Sequence, residues 1–509
     1  MKTPVKFAVG SLLMVIGLTA FMARDTSIED PGSTDPNSSS KSRAIEFYCA
    51  AGMSKPMDEI IKAYREDFPG RKVEVSYSGS GTLLTKIRAQ KSGDLYLAAD
   101  TSYIQIAQEK DLAEESIPVA RLWPVIVVKK GNPKKILKVD DLIREDVRVN
   151  LGNPEAASVG KKTKKLMDRL DKWESLKKAV DARGNFKPTV NEIANDVKID
   201  AADAAIVWNS IASQYPELEA VEIEGAPRGT VTICVLKFAR LPHETLHFAR
   251  YICASDRGLK IFRKHGFESV DGDIWEDRPN IMYFAGGLNR HATEPIISAF
   301  EKREGCTVET AWMGCGLLVS KMKGGETPDV YHTCDASFHA MVEDRFGQLT
   351  NISQTDIIIL IPKNNPKNIK SLEDLTKPGM KVGIGDPEKT AMGKLTVDLL
   401  KNEGVYEEIK ENIGNPFPEA PMVVGQVTQG ALDAGLVYVA NAHAQRDKVK
   451  MIRIENPLSS ATQTYAVSKT SKHKHLMQRL LDRLRSSAGQ ENFVNAGFEV
   501  ITGPNPENE

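Results

Sequence analysis

The chain has 509 residues, 41% of them apolar, which is more than one ordinary core uses and suits about two to four lobes. Lysine and arginine number 67 against 68 aspartates and glutamates, a formal net charge of −1. That balance excludes an overall field able to gather nucleic acid or an anionic membrane, and beyond the first residues no apolar run approaches the roughly 20 needed to span a bilayer.

In chain order, Lys2 and Lys6 precede a mostly apolar stretch from Phe7 to Ala23, followed by a Ser, Pro, Asp and Gly stretch from Asp25 to Ser42 without periodicity. Residues 1–23 are therefore expected to be an export signal or a retained N-terminal anchor, and 24–43 a flexible linker. Small residues sit only loosely near the end of the run, at Ala20 and Ala23, and no cysteine follows closely enough for lipid attachment. Membrane contact is expected through this segment alone.

From Phe47 the sequence reads as an apolar strand ending in small residues, Ala50-Ala51-Gly52-Met53-Ser54, followed by a helical stripe at Met57, Ile60, Ile61 and Tyr64. A second strand, Val73 to Ser78, runs into Gly79-Ser80-Gly81 and another helix. Further on come Val127 to Pro133, Gly152-Asn153-Pro154-Glu155, Ala204 to Trp208, and His265-Gly266-Phe267. About 235 residues later the same landmarks recur in the same order. They are Tyr283 to Asn289, with a stripe at Ile296, Ile297 and Phe300; Val308 to Gly316; Leu360 to Pro366; Gly385-Asp386-Pro387-Glu388; Ala434 to Tyr438; and Ala496-Gly497-Phe498. The chain is thus a duplicated unit, 44–276 and 280–500, with a charged joint at Glu276 to Pro279 and a tail at 501–509. The joint is too short to hold the copies apart.

Strands alternating with helices of about 10 to 15 residues predict an α/β fold with parallel sheets covered on both faces. In such sheets ligands collect where strands end and helices begin. Three turns of the first copy have that placement: Gly52 to Ser54, Ser78 to Thr82, and Gly152 to Gly160. Their N–H groups have no helical partner and the helix dipole adds partial positive charge, so an anion can be held without lysine or arginine. Amides and the Ser54, Ser80 and Thr82 hydroxyls satisfy a fully ionised tetrahedral oxyanion, which offers only acceptors. Glu155 and Glu388 lie close enough in sequence to leave the discrimination against a protonated phosphate open.

These residues resemble the periplasmic molybdate-binding family, a branch of the type II solute-binding proteins. The resemblance covers nearly all of both copies and rests on the turn Ser78 to Leu83, the strand Asp94 to Asp100, the Gly385 to Glu388 turn, the Gly435 to Tyr438 strand and the Ile261 to Phe267 terminus. It implies tandem type II periplasmic-binding-protein folds, each of two lobes with mainly parallel sheets flanked by helices, a dianion enclosed between the lobes, no cofactor, and an ABC permease as partner. The family's first serine hydroxyl falls on Gly52, with Ser54 nearby as a substitute, and its second on Ser80. Its backbone donors fall on Val159 and Val190, and its tyrosine on Trp208. In the second copy the resemblance points to Gly287 and Met392, keeps Tyr438, sets Asn289 where the first copy has Ser54, and replaces Ser80 by Cys315.

A thiol is a poor donor, so the second site is expected to be altered. Of the six cysteines none has CxxC spacing, which weakens a zinc reading. Cys315 and Cys334 fit three readings: burial without function, a disulfide, or with His332 a soft-ligand site for a thiophilic metal or oxyanion; the strand position of His332 equally suits a side chain pointing into the core. No Gly-x-Ser-x-Gly elbow, His-Glu-x-x-His pair or phosphate loop occurs, so an enzyme is not expected beyond redox or sulfur transfer through Cys315. A sensory or adaptor role is the alternative to transport, because lobe closure serves both.

Overall fold

A computed structural model describes residues 43–501. The expected export segment at 1–23, the linker up to residue 42 and the tail from 502 lie outside the described residues. Among the described residues no helix is long and apolar enough to cross a membrane.

The first copy holds β1 (Ile45–Ala50), β2 (Val73–Ser78), β3 (Leu95–Ala98), β4 (Ala113–Leu122), β5 (Pro124–Lys129), β6 (Val149–Gly152), β7 (Phe186–Lys187), β8 (Ala204–Trp208), β9 (Leu218–Glu222), β10 (Gly229–Leu236) and β11 (Glu268–Ser269). They form two sheets, ordered β11-β4-β10-β3-β1-β2 and β7-β6-β8-β5-β9, one per lobe. The second copy holds β12 (Asn280–Gly286), β13 (Thr307–Met313), β14 (Val330–His332), β15 (Thr350–Pro362), β16 (Val382–Gly383), β17 (Ala434–Tyr438), β18 (Val449–Arg453), β19 (Ser460–Val467) and β20 (Glu499–Val500). Here one strand, β15, pairs with β19 through residues 350–356 and with β17 and β18 through 357–362, so both lobes share a sheet.

Local sequence explains these elements. β1 is apolar on both faces because helices cover both, whereas β2, the edge strand, buries only Val73. The helix Ser54–Asp67 buries Met57, Ile60, Ile61 and Tyr64, the expected stripe, and ends beside Phe68-Pro69, where the proline disfavours a helical predecessor. Pairing is parallel among the strands that carry the ligand turns, β2-β1-β3 and β7-β6-β8, and β13-β12-β14 and β16-β17 in the second copy. The strands that pass between lobes, β5, β10, β15 and β19, enter antiparallel. Mainly parallel sheets therefore describe the turn-bearing part of each lobe, because a strand arriving from the other lobe runs against those it joins.

The two copies touch through their first lobes. Asp273 accepts from the N–H groups of His475 and Leu476 (both 2.9 Å), satisfying the open first turn of the helix Lys474–Arg485. Arg303 bonds Glu114 and Glu115 of the first copy, and Arg483 also reaches Glu115. Burial alone would raise the Glu115 pKa, but Arg303 and Arg483 hold it below the ordinary carboxylate value. A carboxylate with a depressed folded pKa stabilises above its unfolded value, near pH 4.3, and that stabilisation disappears as pH falls through the folded value. Glu115→Gln is expected to cost roughly 1–3 kcal/mol at neutral pH and to flatten acid destabilisation below about pH 4. Thermal unfolding across that range checks it; parallel pH profiles for the two proteins would refute the role given to this carboxylate.

Candidate functional site

In the first copy five chain segments converge between the lobes. From the first lobe come the 3₁₀ turn Ala51–Met53 after β1 and the helix Ser80–Gln90, whose N-cap is Gly79. The second lobe supplies the helices Ser158–Arg169 and Val190–Lys198 and the end of β8. Gly52, Ser80, Val159, Val190 and Trp208, all expected from the sequence, line the small cavity between the lobes together with Gly79, Ala99, Ser158 and Thr189. None of its lining residues carries a charged side chain.

Two hydroxyls supply the directional donors. Ser80 is buried, and its Oγ accepts from the Ala99 N–H (3.2 Å), which leaves its own proton to point into the cavity. Ser158 is 4% exposed and its Oγ has no protein partner. Nothing in the sequence singled out Ser158; its position as first residue of a helix opening on a Gly-Asn-Pro-Glu turn was the available signal. A serine at position 52 would be crowded, because a Cβ there would lie 3.1 Å from Val190 Cγ1 and 3.9 Å from Trp208 Cδ1. Those two side chains occupy the room that a hydroxyl would need.

Ser54 is not part of this cavity. It is the first residue of the helix Ser54–Asp67, and its Oγ accepts from Asn191 Nδ2 (3.4 Å), outside the lining. Asn191 also donates to the Ala51 carbonyl (2.8 Å), so the pair fastens one lobe to the other instead of holding a ligand. Further ties across the cleft are the Gly81 N–H donating to the Ala156 carbonyl (3.0 Å) and Lys162 paired with Asp100 (2.7 Å). The first copy is closed.

The second copy is built alike around a wider cleft of about 440 Å³. Gly287, Cys315, Met392 and Tyr438 line it as expected, joined by Arg290, Thr390, Ala420 and Asn441. Ala420 begins a helix as Val190 does, and Thr390 caps its own helix by accepting from the Gly393 N–H (2.9 Å). Tyr438 is 2% exposed, yet its hydroxyl has no protein partner. Burial raises its pKa, so it stays a donor.

Asn289 is corrected on two counts. The turns Ala51–Met53 and Gly287–Asn289 have equal length, so Asn289 answers to Met53, and Arg290 to Ser54. It is also fully buried, its Nδ2 donating to the carbonyls of His332 (3.3 Å) and Thr333 (2.9 Å), and it does not reach the cleft. His332 likewise leaves the proposed soft-ligand trio. Its ring packs near Tyr465 and Phe493, with Nδ1 2.7 Å from the Tyr283 hydroxyl, in a core on the far side of the sheet from the cysteines. Burial lowers its pKa to about 3, so it is neutral there. Among the described residues no group of three His, Cys, Asp or Glu could hold a metal ion, and all six cysteines are free, so Cys315 and Cys334 are not disulfide-bonded.

Two lobes facing each other across a pocket of neutral donors are the arrangement of a solute-binding protein. Residues 45–268 and 281–499 each match the family model described as bacterial extracellular solute-binding protein, and the chain belongs to that family, in two copies. A putative binding protein of Haemophilus influenzae is 27% identical over 227 residues, covering 44% of this chain and 90% of the relative. The molybdate-binding protein ModA of Mycobacterium bovis is 27% identical over 228 residues, 43% of this chain and 84% of the relative. The solved periplasmic molybdate-binding protein of Azotobacter vinelandii has a TM-score of 0.38 at 15% identity, covering 44% of this chain and all of the neighbour.

Proposed function

We propose that the chain binds a tetrahedral oxyanion, molybdate or tungstate first, outside the cytoplasm and delivers it to an ABC permease, with the first copy as the binding unit. The observation that carries this reading is the closed first cavity, where the Ser80 and Ser158 hydroxyls and helix N-termini converge without a charged side chain. Donors of that kind suit a fully ionised guest, since every oxygen can accept and no carboxylate repels it. Hydrogen bonds to a charged group contribute roughly 1.5–3 kcal/mol each, so a handful reaches the roughly 8 kcal/mol of micromolar affinity. The molybdate-binding relatives support the same class of guest.

Calorimetry on the full chain with molybdate, tungstate and sulfate tests it. Ser80→Ala is expected to weaken the preferred anion by roughly 1–3 kcal/mol, because the Ala99 N–H and one ligand oxygen both lose a partner. Unchanged affinity would move the site elsewhere. The ligand should also raise the melting temperature, as any guest that binds only the folded state does.

A further inference from the structure

The second cleft differs from the first by a matched set of changes. At three adjoining positions the first copy has Ala50, Ser80 and Ala99, and the second has Gly286, Cys315 and Cys334. The equivalence is fixed by shared bonding: the Ala99 N–H donates to Ser80 Oγ, and the Cys334 N–H to Cys315 Sγ at 3.1 Å. Ala50 and Gly286 each end the central strand and cap the following 3₁₀ turn. Both sulfurs converge on Gly286, where a Cβ would run into Cys334 Sγ and lie 3.0 Å from Cys315 Sγ. The missing methyl is what admits the second thiol.

We propose that this cleft is a dithiol site for a pyramidal oxyacid of trivalent arsenic or antimony, captured by Cys315 and Cys334 with Tyr438 closing over it. Both thiols are free and face the cleft from the first lobe, while the unpartnered Tyr438 hydroxyl faces it from the second. Sulfur is the preferred donor for soft centres and a poor one for molybdate oxygens. A structural zinc would need four ligands, and among the described residues no third His, Cys, Asp or Glu joins the pair. Trivalent arsenic is satisfied by two sulfurs and one oxygen. Each thiol condenses with one As–OH: an As–S bond forms, an As–O bond breaks, and the thiol proton leaves with the hydroxide as water. Two condensations release two waters, leave arsenic trivalent, and consume no oxidant or reductant. The remaining As–OH is the partner for the Tyr438 hydroxyl.

The proposal goes beyond the oxyanion reading of the first cleft and does not depend on it. The test titrates the full chain, its thiols reduced and counted, with sodium arsenite. One arsenic per chain is expected, with an X-ray absorption spectrum showing two sulfurs and one oxygen around it. Cys315→Ser and Cys334→Ser should each weaken binding by about 100-fold or more, the advantage that a second tethered ligand confers. Cys306→Ser, altering a buried thiol outside the cleft, should keep it. No uptake by the reduced chain, an all-oxygen shell, or affinity unchanged in both cleft variants overturns the proposal. The spectrum of the unmodified chain decides the matter even where a variant fails to fold.

Discussion

Gly79→Ala is expected to abolish oxyanion binding by the first copy while leaving its lobes folded. Gly79 has φ −65° and ψ 144°, a conformation open to any residue, so alanine adds no backbone strain. Its Cβ, however, would be driven into the carbonyl oxygens of Ala156 and Pro188, both on the second lobe. Backbone cannot swing aside as a side chain can, so the lobes would stop short of closure. The Ser158 hydroxyl and the N-termini at Val159 and Val190 would then stay out of reach of a guest held at Ser80. Losing several charge-assisted hydrogen bonds at roughly 1.5–3 kcal/mol each predicts a drop of at least about 100-fold, read by calorimetry. The melting temperature without ligand should barely move, and the ligand-induced rise should vanish. Affinity equal to that of the unmodified chain would mean that the cleft closes differently from the geometry described.

Glu304→Ala carries the largest expected loss of stability. Glu304 is 1% exposed and accepts from Arg479 Nε (2.7 Å) and Nη2 (2.9 Å), while Arg250 Nε stands 4.0 Å away across the boundary between copies. Burial alone would lower the Arg479 pKa, but Glu304 raises it instead; Arg250, with burial dominant, stays lowered. Removing the carboxylate strands two buried guanidiniums, and breaking a buried pair in this way costs roughly 3–5 kcal/mol. At about 2–4 °C per kcal/mol for a unit the size of one copy the melting shift is large. Adding Arg479→Met to Glu304→Ala should recover much of the loss, because an apolar replacement of a buried pair is often nearly neutral. If the double variant is no more stable than the single one, the stranded charge is not the cause.

The two variants probe features of different legibility. The glycine-serine turn at Ser78 to Gly81 could be read directly, since a strand, a small-residue turn and a helical stripe are local patterns of a few residues. The Glu304 cluster could not. Its partners lie 175 positions away at Arg479 and across the copy boundary at Arg250, and nothing in local periodicity links them. Asn289 shows the intermediate case. Gly286 and Gly287 stand where the first copy has Ala50 and Ala51, so small residues alone set the turn one place out of register, and one place in a 3₁₀ turn separates a side chain facing the cleft from one facing the core. His332 takes the core-facing one of its two readings: it lies two residues before Cys334, but Cys334 falls beyond the end of β14, where strand alternation no longer applies.

The amino-acid sequence by itself determined the duplication, the α/β class and the strand-to-helix turns at Gly52, Ser80, Val159 and their counterparts. Each depends on hydrophobic period and small-residue punctuation, which are properties of neighbouring residues. Only the tertiary structure decided that the first cleft is narrow and the second wider, that Ser158 contributes a donor, and that Cys315 and Cys334 meet over Gly286. Those outcomes depend on which surfaces from distant segments come within a few ångströms of one another, and no local pattern encodes a distance between lobes.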